Sequence, residues 1–267
     1  MDTIDFVTRY DRMILDANTR QLYGGGDFYN VGEWPAETGT LDATGQAAPD
    51  RLPRACAALV QRVIAPALAQ RVCQAGDRLL DVGCGLGASS AELARQLPGT
   101  EVIGVNLSQA QLTHARTRYP ALAFCAMDAT HLGFADESVR CIVSIEAAFH
   151  FQPRTAFLRE AWRVLQPGGM LLMSDMLFAP SGATPWWVPD ANRTHREAHY
   201  LQDCLAAGFA VEQCDDTTAT TLHPFCHHLE QAYPGSGLAD SLREAVAAYL
   251  VVALRKTAGC IRGGLPG

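Results

Sequence analysis

Lysine is almost missing from this 267-residue chain: of 21 basic residues only Lys256 is a lysine, and no run of basic residues occurs. Against those stand 28 acidic residues, for a formal net charge of -7. Nothing in such a chain tracks a phosphate backbone, and a nucleic-acid substrate is disfavoured. The arginine bias reads as compositional. Long apolar runs are missing too, the longest falling short of the roughly 20 residues that a membrane span needs. The opening Met1-Asp-Thr-Ile-Asp5 has no charged-then-apolar signal pattern, so a soluble, cytoplasmic protein without a membrane span is expected. The nine cysteines, Cys260 among them, are odd in number and contain no C-x-x-C pair. That fits a reducing compartment and not a disulfide framework. No internal repeat or low-complexity tract is present.

What is present is a chain 48% apolar and 18% charged, well inside the range of folded globular proteins. From residue 78 onward short apolar runs alternate with segments of helical period, the pattern of a parallel sheet flanked by helices. Strands are expected at 78–82, 101–105, 122–127, 139–145, 169–176, 209–214 and 249–255. Helices are expected at 52–70, 88–96, 108–118, 155–165 and 196–207. Residues 1–77 read as a helical cap with a mobile, aromatic and glycine-rich loop at 22–34. Residues 78–267 read as the core, with an irregular insertion at 215–248.

Asp81-Val-Gly83-Cys-Gly85-Leu-Gly87-Ala88 is an apolar strand running into a glycine turn that opens a helix, a place where backbone amides approach a ligand. Gly83, Gly85 and Ala88 satisfy the dinucleotide pattern, which alone is weak. A dinucleotide site also wants an acidic residue about 20 positions on, and that position holds Asn106. Asp81, just before the turn, would oppose a pyrophosphate and suit an ammonium group.

The turn resembles the first motif of class I S-adenosylmethionine-dependent methyltransferases, and further motifs follow in order. Val102-Ile-Gly104-Val-Asn106-Leu-Ser108 resembles the end of their second strand, which meets the ribose. Cys125-Ala-Met127-Asp128-Ala129 resembles the end of their third, whose aspartate accepts from the adenine amino group. Phe134-Ala-Asp136-Glu-Ser138 leads into the fourth strand, and the segment from Phe157 to Gly169 resembles the helix, turn and fifth strand after it. The resemblance implies an α/β fold with a Rossmann-like seven-stranded methyltransferase sheet under a helical amino-terminal cap. The implied cofactor is S-adenosyl-L-methionine, leaving S-adenosyl-L-homocysteine. Implied cofactor-binding residues are Asp81, Gly83, Gly85, Gly87, Asn106, Leu107, Met127, Asp128, Ala129 and Ile145. Asn106 replaces the commoner acidic residue but keeps an acceptor and a donor.

In this fold the acceptor lies beyond the carboxyl ends of strands four and five. Small-molecule O-methyltransferases of natural-product pathways carry a histidine and an aspartate at the positions of His150 and Asp175. His150 is the candidate base, with Asp175 as the group that fixes its tautomer, and Glu146 is a second candidate. A histidine at this place in the family often only packs over the cofactor, and the sequence leaves both roles open. Tyr23, Trp34, Phe149 and Trp186 are candidate acceptor-pocket residues, with Tyr23 and Trp34 as the lid. Their bland reading is ordinary cap packing. His195 and His199, spaced i, i+4, lack a third ligand, and Cys226-His-His228 reads as a loop before a helix, so no metal is assigned. The expected reaction is methylation of a small, largely apolar or aromatic metabolite, most plausibly at oxygen. C- or N-methylation, a non-catalytic cofactor-binding protein and an NAD-dependent reductase remain as alternatives. The sequence leaves the oligomeric state open.

Overall fold

The computed structural model describes residues 3–23, 25–34, 50–180 and 185–257. Gly24, residues 35–49, 181–184 and 258–267 lie outside the described residues, and with them parts of the expected cap and loop, and Cys260.

Seven strands form one sheet in the order β3-β2-β1-β4-β5-β7-β6. They are β1 (Arg78–Val82), β2 (Glu101–Asn106), β3 (Ala123–Ala126), β4 (Val139–Ile145), β5 (Leu165–Phe178), β6 (Phe209–Asp216) and β7 (Val246–Lys256). Strands β1 to β5 pair in parallel, whereas β7 runs antiparallel to both β5 and β6. The chain order reverses between β1 and β4, and at such a switch point the carboxyl ends of the strands open a crevice.

Alternate residues of each central strand enter opposite cores, as the two-residue period requires. Leu79, Val143, Leu172 and Val251 face α3 (Arg51–Ala69), while Leu80, Ile142, Leu171 and Val252 face α6 (Arg154–Val164) and α7 (Glu197–Ala206). Helices α4 (Ala88–Gln96) and α5 (Gln109–Arg118) complete the layers beside β1 to β3. By length and composition α3 could cross a membrane, contrary to the sequence reading. Its apolar stripe, Cys56, Leu59, Val60, Val63, Ile64 and Ala67, is instead buried within this protein.

One further expectation needs correction. Residues 215–248 are not irregular: they hold α8 (Leu222–Ala232) and α9 (Leu238–Ala245). Leu222, Phe225, Cys226 and Leu229 make the buried face of α8, and Pro224 is tolerated because it stands in the first turn, where amides have no helical partner. Cys226, His227 and His228 are therefore helical. The amino-terminal segment is helical in two pieces. It forms α1 (Thr3–Ile14) and α2 (Ala17–Leu22), the second capped by Asp16, which accepts from the amides of Asn18 and Thr19.

Candidate active site

A cavity of about 260 Å³ lies between the carboxyl ends of β1, β2 and β4 and the underside of α1. Its floor is main chain. Gly83 has φ +84°, and its amide and that of Cys84 donate to the Val105 carbonyl at 2.8 and 3.1 Å. A Cβ on Gly83 would stand 2.3 Å from that of Ala147, so only glycine closes this turn. Gly83 and Gly85 line the cavity; Gly87 does not. Gly87 caps α4 at φ +93°, where a Cβ would crowd Ala115, Tyr119 and Phe124, so its task is packing.

Asp81 is buried behind the turn. One carboxylate oxygen accepts from Ser89 and Ser90 hydroxyls, both at 2.6 Å, and the other is buried with no partner among the described residues. Burial pushes its carboxyl up to about 6, against the pull of the two hydroxyls. A buried acceptor left open beside a glycine turn is suited to an ammonium donor. Asn106, Leu107, Met127, Asp128, Ala129 and Ile145 all line the cavity. Asn106 donates to Gln111 Oε1 at 2.9 Å and accepts from the Leu107 amide at 2.8 Å. Asp128 accepts from the amide and hydroxyl of Thr130, both at 2.8 Å, which turns the chain at the end of β3.

Glu146 and His150 form the polar wall. Glu146 sits at φ +49°, a costly backbone for a non-glycine residue, where its amide reaches Ser174. Its Oε1 accepts from the Val31 amide at 2.7 Å and the Tyr249 hydroxyl at 2.6 Å. Burial pushes it up to about 7, with both hydrogen bonds opposing. His150 ends a short 3-10 turn, Ala148–His150. Its Nδ1 lies 3.0 Å from the Trp187 carbonyl, which can only accept, so Nδ1 carries the proton. Nε2 is then the lone-pair nitrogen, and the Tyr10 hydroxyl donates to it at 3.1 Å. Burial lowers the imidazole to about 4, the Trp187 carbonyl opposing, so the ring is neutral at pH 7.

Asp175 does not reach His150. It is buried and ion-paired with Arg154 at 3.2 Å, and the residue that sets the histidine tautomer is Trp187, through its carbonyl. The reason is strand parity: Ser174 points to the cavity side, so Asp175 points to the α6–α7 side. The main-chain amide of Arg154 donates to Asn192 Oδ1, and the Asn192 side-chain amide donates to the carbonyls of Phe149 and Phe151. Asn192 thus braces the turn that carries His150 without touching the ring.

The roof was not anticipated. Phe6, Val7, Tyr10, Asp11 and Ile14 form one face of α1 and line the cavity with Tyr29. Their spacing is that of a helix stripe, legible in sequence, but nothing there says what the stripe covers. Asp11 accepts from Ser108 at 2.8 Å and Gln111 at 2.7 Å. Asp27, after α2, accepts from Arg20, His114 and Tyr119 at 3.1, 2.8 and 3.1 Å, tying the roof to α5. The four aromatic candidates all stand outside the cavity lining. Tyr23 packs between Tyr29 and Phe225. Trp34 is buried and donates to the Val31 carbonyl at 2.7 Å, which makes it core and not lid. Phe149 is buried against Phe178 and Trp187. Trp186 lies outside α1, near Phe6 and under the Arg9 guanidinium. Among the described residues no group of three or more His, Cys, Asp or Glu is placed to hold a metal ion.

Residues 80–173 match the family described as a methyltransferase domain. The match takes in about a third of the chain, and over it the chain is similar to methyltransferase domains. It is 42% identical over 109 residues to the methyltransferase GfsG of Streptomyces halstedii, an alignment covering 39% of this chain and 39% of that protein. It is 26% identical over 233 residues to the erythromycin 3''-O-methyltransferase of Saccharopolyspora erythraea, covering 79% of this chain and 71% of that one. In fold it matches the geranyl diphosphate C-methyltransferase of Streptomyces coelicolor A3(2), with a TM-score of 0.75 at 20% identity, over 95% of this chain and 97% of that structure. That structure holds S-adenosyl-L-homocysteine. The methyltransferase cofactor fits the residues present here: an orphaned carboxylate oxygen, a turn with no room for side chains, Asn106 and Asp128 on the wall, and apolar Leu107 and Met127 between them.

Proposed function

We propose that the protein methylates an oxygen of a small, uncharged, largely apolar acceptor, with S-adenosylmethionine as donor and His150 as the proton acceptor. The observation that carries this reading is the fixed tautomer of His150, whose unprotonated Nε2 already engages a hydroxyl in the cavity. When bound, the cofactor supplies the activated methyl group. Asp81 would hold its ammonium, Asn106 its ribose, and Asp128 its adenine, with Met127 and Leu107 against the ring faces.

The lining limits the acceptor. Among the described residues no lysine or arginine faces the cavity, whereas Asp11, Asp128 and Glu146 do. A phosphorylated acceptor would meet like charge, which sets this site apart from an enzyme acting on a diphosphate. Phe6, Val7, Ile14 and Tyr29 offer apolar contact instead. An acceptor hydroxyl taking the place of the Tyr10 hydroxyl would lie on Nε2 and lose its proton there.

Glu146 supports a second reading, because it lines the same cavity and its carboxyl is pushed to about 7, near the pH at which a base works best. The test is turnover of neutral phenols and alcohols, followed as S-adenosylhomocysteine formed. His150→Ala is expected to lose on the order of 100-fold in turnover with little change in cofactor affinity. Full activity in His150→Ala with loss in Glu146→Gln would move the base to Glu146. Full activity in both would remove the base altogether and point to an amine or an activated carbon as acceptor.

A further inference from the structure

We propose that Asp11, on the roof helix α1, is a ligand of the cofactor's ribose and supplies from the lid the carboxylate that strand β2 lacks. The inference rests on S-adenosylmethionine being the donor and adds a binding residue that the family motifs do not contain. A ribose presents two neighbouring hydroxyls, and a carboxylate can accept from both at once. At the end of β2 stands Asn106, an amide whose Nδ2 and Oδ1 each already hold a protein partner, Gln111 and the Leu107 amide, so its share of the ribose is smaller than a carboxylate's. Gln111 accepts that bond and spends its own donor on Asp11 at 2.7 Å. Asn106 thus donates to Gln111 and Gln111 to Asp11, and the chain of hydrogen bonds ends on Asp11.

Asp11 lines the same cavity as Asn106, Leu107, Ser108 and Gln111. Each of its oxygens takes one bond from the floor, Oδ2 from Ser108 and Oδ1 from Gln111, and an ionised carboxylate has about four acceptor positions. Both floor partners are neutral, and an asparagine would keep the Gln111 bond while its NH2 donates to a Ser108 hydroxyl turned to accept, so docking of α1 does not require the charge. The negative charge has its use in accepting from a further donor. The residue before it is Tyr10, whose hydroxyl sits on His150. Drawing Asp11 onto the ribose would therefore set the helix that covers the acceptor site.

The experiment is calorimetric titration of the whole protein with S-adenosylhomocysteine and with its 2′,3′-dideoxy analogue, using wild type, Asp11→Asn and Asp11→Ala, each checked by its melting temperature without ligand. Asp11→Asn is expected to bind S-adenosylhomocysteine about 10-fold or more weakly, and to bind the dideoxy analogue as wild type does. Equal weakening toward both ligands would show that Asp11 only docks α1 and would overturn the assignment, as would no weakening toward either. Failure of wild type to bind S-adenosylhomocysteine would instead bring down the donor reading on which the assignment stands.

Discussion

The floor and the roof of the cavity are made by different physics. The floor, at the ends of β1, β2 and β3, is main-chain geometry: glycines at positive φ, carbonyl-to-amide bonds, and short polar side chains at fixed distances from the turn. The roof, α1 and residues 25–34, is held by side-chain bonds between residues about a hundred positions apart, Asp11 to Gln111, Asp27 to His114, Val31 to Glu146. A floor of this kind cannot change without disturbing the sheet. Helix α1, half-buried and tied by such bonds, can lift while the sheet stays folded, since few buried apolar contacts and many partly exposed hydrogen bonds mark the elements that open first; Val31 and Trp34, buried in the main core, stay with the sheet.

The sharpest break in that comparison is Gly83→Ala. The new Cβ meets Ala147 at 2.3 Å and is forced into φ +84°, so left-handed strain and overpacking act together. Their sum is about 2 to 5 kcal/mol of stability, read by urea unfolding, together with loss of S-adenosylhomocysteine binding. A variant that unfolds at the wild-type urea concentration would show that the floor is as yielding as the roof.

Glu146 joins the two halves, and its charge sharpens the difference. Its folded value of about 7 lies above the ordinary 4.5, so the stability it contributes is full below pH 4.5 and is lost as pH rises through 7. The size of that loss is of order 3 kcal/mol. His150 acts in the opposite sense: its value falls from 6.5 to about 4, so its contribution is full above pH 6.5 and is lost as pH falls through 4. Glu146→Gln keeps an acceptor for Val31 and Tyr249 but cannot titrate. Its stability relative to wild type is therefore expected to rise by about 3 kcal/mol between pH 4.5 and 7, measured by denaturant titration across that range. A constant difference at all pH values would mean that Glu146 stays ionised and only ties Val31 to Tyr249.

The same division decides what could be read from the sequence. The strand positions, the glycine turn and the wall residues Asn106, Met127, Asp128 and Ile145 follow from apolar runs and motifs because main-chain turns demand particular residues at particular spacings. His150 and Glu146 line the cavity for the same reason, as residues just past β4. Asp175 was misassigned because a one-residue step along β5 reverses the face, and the motif does not state which face the next residue takes. Trp34 was misassigned because an aromatic in a loop next to a site reads alike whether it faces the cavity or the core. Tyr10 and Asp11 could be placed on a helix face but not over a cavity, since their partners, His150, Ser108 and Gln111, are distant in the chain and ordinary in composition.

Tyr10→Phe carries the smallest expected effect and tests the roof alone. The ring and its packing on Phe6 remain, and one hydrogen bond to His150 is lost. A single bond of this kind contributes about 1 kcal/mol, which in a chain of this size moves the melting temperature by roughly 2 to 4 °C. The kinetic consequence separates two uses of the hydroxyl. If it only holds the place that an acceptor hydroxyl must take, the acceptor no longer competes with it, so KM for the acceptor falls and kcat is unchanged. If the hydroxyl acts on the reacting group, kcat falls and KM does not. The geometry favours the first outcome. The hydroxyl already occupies Nε2, and a proton acceptor cannot serve an acceptor hydroxyl until that bond has been exchanged for the new one.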